Sequence, residues 1–129
     1  MSWQAYVDTS LVATGCVDKA AIFDAKGTSV WAASSHFKVE PSEIQSVVSS
    51  FEDKQPKKIF GSGFKIAGEK YLTIHAEDRS VYGKKGKEGV VIVKTVQALL
   101  VAHYPESVQP GQAVTVVEKL GDYLIGVGY

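Results

Sequence analysis

Four segments crowd into residues 70–104: KYLTIHAE, SVYGK, GVVIVKT and QALLVAHY, separated only by short polar or glycine-bearing turns. Parallel neighbours need a crossover of roughly a dozen residues or more, and none of these connections has that length. The even spacing predicts an antiparallel meander. GVVIVKT and QALLVAHY are almost uniformly apolar, as strands covered on both faces should be. KYLTIHAE alternates, so Leu72, Ile74 and Ala76 are expected on one face. Tyr71, Thr73, His75 and Glu77 are expected on the other, an accessible polar face.

Helical patterns flank this meander. Ser2 can cap a first helix, and Trp3, Val7 and Leu11 recur at i, i+4 and i+8 with Tyr6 on the flank. Gly15 ends that element. AAIFD and SVWAA then enclose the turn Asp24-Ala25-Lys26-Gly27, a hairpin signature in which Gly27 takes positive φ. EPSEIQSVVSSFE carries Pro41 at the first helical position, Glu43 in the first turn, and an apolar face of Ile44, Val47, Val48 and Phe51. DKQPKK, with Pro56, reads as an exposed loop, and Gly61, Gly63 and Gly68 punctuate short extended pieces. Pro110 opens a closing helix with Ala113, Val116, Val117, Leu120 and Leu124 on one side, Glu118 and Asp122 pointing away, and Gly126 and Gly128 loosening its end. No linker or repeat divides the 129 residues, so one domain spanning 1–129 is expected, of the α/β class in its α+β form.

Several functions are disfavoured. Fourteen basic and 14 acidic residues cancel, whereas a nucleic-acid partner calls for a clearly basic chain. The longest apolar runs, GVVIV and ALLVA, fall far short of the ~20 residues that span a bilayer. No basic-then-apolar leader opens the chain, and Cys16 is the only cysteine, so a cytosolic protein is expected. His36, His75 and His103 share no metal-ligand spacing with each other or with Cys16. Glu77 and Asp78 are adjacent on a strand and point to opposite faces, so they cannot work as a paired acid and base. GKKGKEG lies between two strands, whereas a phosphate loop opens a helix. It reads as a hairpin turn with solvated lysines, compatible with a weak patch for anionic lipid. No catalytic residue, metal or cofactor is expected, and a small phosphate-handling enzyme using this lysine loop is the rival from another class.

The two ends hold the chemistry that is left. Trp3 and Tyr6 can be ordinary core residues. Tyr6 and Tyr123 nevertheless stand on the flanks of their helices, and Tyr129 follows two glycines with little reason to be buried unless something docks it. Side by side on the sheet, the terminal helices would gather Trp3, Tyr6, Tyr123 and Tyr129 over Trp31. Aromatic rows with polar tips are the surface that takes a polyproline II helix.

MSWQAYVDTSL, SVWAAS, AEDRSVYGKKG and VVEKLGDYLIGVGY, in that order, resemble the profilin family, in wording and length its fungal and amoeboid members. The W-x-x-Y start and the DYLIG-x-GY end are specific to that family in combination. The resemblance implies terminal helices packed together on one face of the sheet with shorter helices on the other. It implies a cytoplasmic and cytoskeletal adaptor that regulates filament assembly by binding monomeric actin, proline-rich proteins such as formin-type nucleators, and phosphatidylinositol 4,5-bisphosphate headgroups. Carried over residue by residue, the polyproline groove is Trp3, Tyr6, Trp31, Tyr123 and Tyr129. The actin face is His75, Arg79, Tyr82, Lys84, Lys94, Gly111, Thr115 and Lys119, and the phosphoinositide site is Arg79, Lys84, Lys85 and Lys87. Where relatives commonly read R-A-[ED]-x-R, this chain reads His75-Ala76-Glu77-Asp78-Arg79, a titratable group in place of a permanent charge. The alternative is a profilin-like module that keeps proline and lipid binding with weak or lost actin binding.

Overall fold

The computed structural model describes residues 2–54 and 57–129, so Pro56 lies outside the described residues. Seven strands form one antiparallel sheet: β1 (Lys19–Asp24), β2 (Val30–Ala33), β3 (Phe64–Ile66), β4 (Glu69–Ala76), β5 (Ser80–Lys85), β6 (Glu88–Lys94) and β7 (Ala98–Tyr104). Their spatial order is β2-β1-β7-β6-β5-β4-β3. The meander β4-β5-β6-β7 thus continues into the N-terminal hairpin, with β7 and β1 paired from Lys19↔His103 to Asp24↔Ala98.

Helices cover both faces. On one face, α1 (Trp3–Ala5) runs directly into a π-helical stretch (Tyr6–Leu11) and a 3₁₀ turn (Val12–Thr14), and lies beside α4 (Pro110–Gly126). Val7, Leu11, Val117, Leu120 and Leu124 meet Ile22, Val91, Val93 and Leu100 there. On the opposite face, α2 (Pro41–Glu52) and α3 (Ile59–Ser62) lay Ile44, Val47, Phe51 and Ile59 against Phe23, Val81, Ile92 and Leu99. Alternate residues of β6 and β7 feed these two cores, which is why both strands are apolar almost throughout. Burying each such Val, Leu or Ile contributes about 1.5–3 kcal/mol.

The expected punctuation is largely observed. Gly15 takes φ 79° at the end of the first helical run, and Gly27 takes φ 73° in the β1–β2 turn. Pro41 and Pro110 open α2 and α4. Glu43 does more than complement a helix dipole. Its carboxylate accepts the N–H groups of Glu40, Ala67 and Gly68 at 2.8, 2.9 and 2.7 Å, tying the start of α2 to the β3–β4 turn.

Five local expectations are corrected. The first helix is not a regular α-helix, because i→i+5 bonding widens it from Tyr6 onward. Residues 59–62, expected as extended, form α3. Lys57, expected in an exposed loop, is buried, and its ammonium donates to the carbonyls of Ser50 at 2.6 Å and Asp53 at 2.7 Å, satisfying orphan groups at the end of α2. Glu118 turns toward Ser80 and Tyr82 of β5 rather than away, whereas Asp122 stays 69% exposed while pairing with Arg79. The alternation of β4 is also reversed: Tyr71 is buried, whereas Leu72 and Ile74 are 69% and 52% exposed. A bulge between Thr73 and His75 then shifts the register, so that His75 faces Tyr82 and Ala76 enters the α2-side core.

Candidate functional site

Two surfaces collect the residues singled out from the sequence, and both use α4. The first lies where the chain ends meet. Ser2 Oγ accepts the Ala5 N–H at 3.1 Å and starts the helix that presents Trp3 and Tyr6. The Trp3 ring is the hub: its centroid stands 4.7 Å from Trp31, 5.6 Å from Tyr6 and 5.3 Å from Tyr129, the last edge-on at 86°. Tyr6 reaches Tyr123 at 6.3 Å. Desolvation, then the hydrogen bond and charge of Tyr123, hold the Tyr6 hydroxyl above its ordinary pKa. Tyr123 and Tyr129 remain 54% and 45% exposed. The five rings thus form a shallow, solvent-open groove of aromatic faces edged by phenolic hydroxyls.

Tyr129 owes its place to the turn after α4. Gly128, at φ 93°, reverses the chain in the left-handed region that other residues enter at a cost of about 1–2 kcal/mol. Its N–H donates to Ile125 O at 3.2 Å, and the Tyr129 N–H donates to Leu124 O at 2.8 Å. These paired bonds make a Schellman closure of the helix. The returned end meets the β6–β7 turn, where Thr95 Oγ1 donates to Tyr129 O at 2.7 Å and the Gln97 backbone N–H donates to the same oxygen. Gln97 Nε2 donates to Gly128 O at 2.9 Å.

The second surface is the part of the sheet that α4 leaves uncovered. Arg79, just before β5, reaches Glu118 Oε1 at 3.1 Å and Asp122 Oδ1 at 2.9 Å, and donates to Glu118 O at 3.2 Å. A Cβ on Gly121 would stand 3.0 Å from Arg79 Nη2, so the guanidinium crosses the helix where the side chain is missing. Glu118 also accepts from Ser80 Oγ at 2.8 Å and from the Tyr82 hydroxyl. Desolvation first, then that bond to Glu118, push the Tyr82 hydroxyl up to about 12. His75 stacks on Tyr82 with centroids 4.4 Å apart and planes 18° from parallel. Lys84, exposed, follows on the same face opposite Leu72.

Other candidates are scattered. Gly111, Thr115 and Lys119 share an exposed stripe of α4, and Thr115 Oγ1 donates back to Gly111 O at 2.8 Å. Lys94 points to the α2 side, with its ammonium 5.8 Å from the centre of the Phe51 ring. Lys84, Lys85 and Lys87 cluster at the β5–β6 turn, where Lys85 pairs with Glu69. Arg79 is five residues back along the strand, about 16 Å at roughly 3.3 Å per residue. The four basic residues of the lipid candidate therefore form two separate groups.

A concavity of about 660 Å³ lies elsewhere, between α2, α3 and β3. Two of its acidic lining residues are already engaged: Glu43 holds the β3–β4 turn, and Asp53 accepts the N–H groups of Lys54 and Lys58 at 3.0 and 2.9 Å. Sequence reasoning missed one cluster altogether, a buried histidine between two part-exposed carboxylates. His103 sits between Asp18 and Glu88, with Nδ1 2.6 Å from one carboxylate and Nε2 3.0 Å from the other, joining the entry to β1, β7 and β6. Only strand register brings these three together, and no local motif announces them.

A seven-stranded antiparallel sheet with both terminal helices on one face and an aromatic groove between them defines a small docking module. The family model for profilin matches residues 1–129. The chain is 55% identical to the profilin of Schizosaccharomyces pombe and 53% identical to profilin-1A of Acanthamoeba castellanii, each over 100% of both chains. The S. pombe profilin crystallised from sodium formate superposes with a TM-score of 0.93 at 54% identity, covering 99% of this chain and 100% of that one. Mouse profilin IIa, solved in complex with a double repeat from the FH1 domain of mDia1, shares the fold at a TM-score of 0.82 and 24% identity, over 100% of both chains. This chain belongs to the profilin family.

Proposed function

We propose that this profilin is a non-enzymatic cytoplasmic adaptor that holds an actin monomer on one surface and a proline-rich segment on another. The single observation that carries the reading is the groove of Trp3, Tyr6, Trp31, Tyr123 and Tyr129, whose rings meet at 4.7–6.3 Å in four pairs, three of them between sequence-distant residues. Slots between aromatic faces accept the rings of a polyproline II helix, which loses little entropy on docking because it is already extended. The FH1 repeat bound to mouse profilin IIa supports a formin-type source for that segment. Monomeric actin is assigned to the other surface: His75, Arg79, Tyr82 and Lys84, with Gly111, Thr115 and Lys119 on α4; Lys94, which points to the α2 side, is left out of it. Occupying both surfaces raises the effective concentration of actin beside a nucleator without covalent chemistry. Phosphatidylinositol 4,5-bisphosphate headgroups are assigned to Lys84, Lys85 and Lys87, with Arg79 on the same strand.

Adding a proline decamer should change the intrinsic fluorescence, since Trp3 and Trp31 line the groove; an unchanged spectrum at saturating peptide overturns the polyproline assignment. A second reading, weak actin binding with proline and lipid binding retained, draws support from His75 standing where relatives commonly carry arginine, and from Arg79 being engaged by Glu118 and Asp122. Titration of labelled actin monomers separates the two readings.

A further inference from the structure

We propose that Thr95 and Gln97, in the β6–β7 turn, are positioning residues for the aromatic groove, acting only through Tyr129. The inference rests on the polyproline reading for its consequence, though not for its geometry. The turn carries no aromatic ring of its own, yet it holds the last two residues by three bonds. Thr95 Oγ1 donates to Tyr129 O at 2.7 Å, the Gln97 N–H donates to the same oxygen, and Gln97 Nε2 donates to Gly128 O at 2.9 Å.

A ring at a chain end has many rotamers and backbone states open to it, and a peptide that needs it in one place must offset that freedom. Here the cost falls on folding instead. The Schellman closure at Gly128 aims Tyr129 at the sheet, and the turn then fixes its backbone oxygen, leaving the ring edge-on to Trp3. Thr95 is itself nearly buried and oriented, because its Oγ1 accepts the Ala98 N–H at 3.0 Å, so the donor is in place before Tyr129 arrives. Valine at this position keeps the shape and loses the hydroxyl, whereas serine keeps the hydroxyl.

The test is a set of proline-decamer titrations by tryptophan fluorescence, with Trp3–Tyr129 ring contacts read in the free protein by nuclear Overhauser effects. Thr95→Val should weaken peptide binding roughly three- to tenfold, the scale of one hydrogen bond to a part-buried oxygen, and should erase the Trp3–Tyr129 contacts. Thr95→Ser should restore both. In a chain lacking Tyr129, Thr95→Val should change peptide affinity no further, a result that general loss of structure would not give. If Thr95→Val fails to fold, Gln97→Ala carries the test with a smaller loss, about two- to threefold. Unchanged ring contacts in Thr95→Val, or an equal further loss in the chain without Tyr129, overturn the positioning role. If wild type shows the contacts, the variant loses them and neither binds peptide, the positioning role stands and the polyproline reading falls.

Discussion

The groove and the charged face share α4 but leave their side chains in opposite states. In the groove, Tyr123 and Tyr129 remain about half exposed, and the aromatic surface exceeds what the fold itself uses. On the charged face, Arg79 and Tyr82 already meet Glu118 and Asp122. The first surface is organised but unsatisfied, while the second is largely satisfied from within. A partner for the groove therefore gains by covering rings. A partner for the charged face must either work with the ungripped groups, Lys84, Leu72 and Ile74, or supply carboxylates that share Arg79. Charge at such an interface sets specificity and encounter rate more than net affinity.

The largest effect that would break this contrast is expected from Trp3→Ala. It removes the hub of three ring contacts, each worth about 0.5–1.5 kcal/mol beyond the area buried, so proline-decamer binding should fall more than tenfold. Trp31 fluorescence titration, with circular dichroism to confirm the fold, checks it. Retained binding would show that the rings are core, not groove.

Charge reversal probes the other surface. Arg79→Glu would set a third carboxylate against Glu118 and Asp122, so both thermal stability and actin binding should drop, the latter about tenfold. Lys84→Glu should weaken actin binding on a similar scale with the melting temperature unchanged, since Lys84 makes no ion pair among the described residues. Equal loss of proline-peptide affinity in either variant would mean that the two surfaces are not separate.

A smaller effect is expected at alkaline pH. A tyrosine in the unfolded chain ionises near pH ~10, whereas Tyr82 and Tyr71 are held to about 12. Their protonated forms therefore stabilise the fold below pH ~10, and this stability is lost as pH rises from about 10 through about 12. Tyr82→Phe should make that decline shallower without abolishing it, because Tyr71 stays. Urea midpoints at pH 9 and 11 for the two proteins measure the difference.

The smallest effect is His75→Arg. The side chain is about one-third exposed, beside Tyr82. A rim charge is worth roughly 0.2–1 kcal/mol, so a permanent one should tighten actin binding severalfold at most. Parallel titrations of labelled actin monomers with the two proteins decide it. An identical affinity for the two would place His75 outside the interface.

What could be read from the sequence was whatever short-range chemistry governs. Pro41 with the Ile44, Val47, Phe51 spacing specifies α2 by itself, and short turns compel the meander. What could not be read depends on partners distant in sequence. The β4 reversal follows from a bulge at Ile74, which exists only relative to β5. Lys57 is buried because the carbonyls ending α2 lie within its reach, and Glu118 turns inward because Arg79 arrives from β5. The five groove residues came through family resemblance, and their polar-tipped, flank-lying rings already hinted at a surface. The clamp on Tyr129 had no such signal, since Thr95 and Gln97 look like ordinary turn residues.

The Trp3–Tyr129 contact spans the greatest separation along the chain of any ring pair in the molecule. Contacts of that kind close late, because the loop entropy they cost is recovered only when the intervening structure exists to hold both ends. The groove is thus a gauge of completion: neither the meander nor either half of the chain alone can form it. During refolding, peptide-binding competence should lag the recovery of sheet signal, and under mild denaturant it should fade first. A nucleator carrying proline-rich repeats would then recruit only molecules whose two ends have already met.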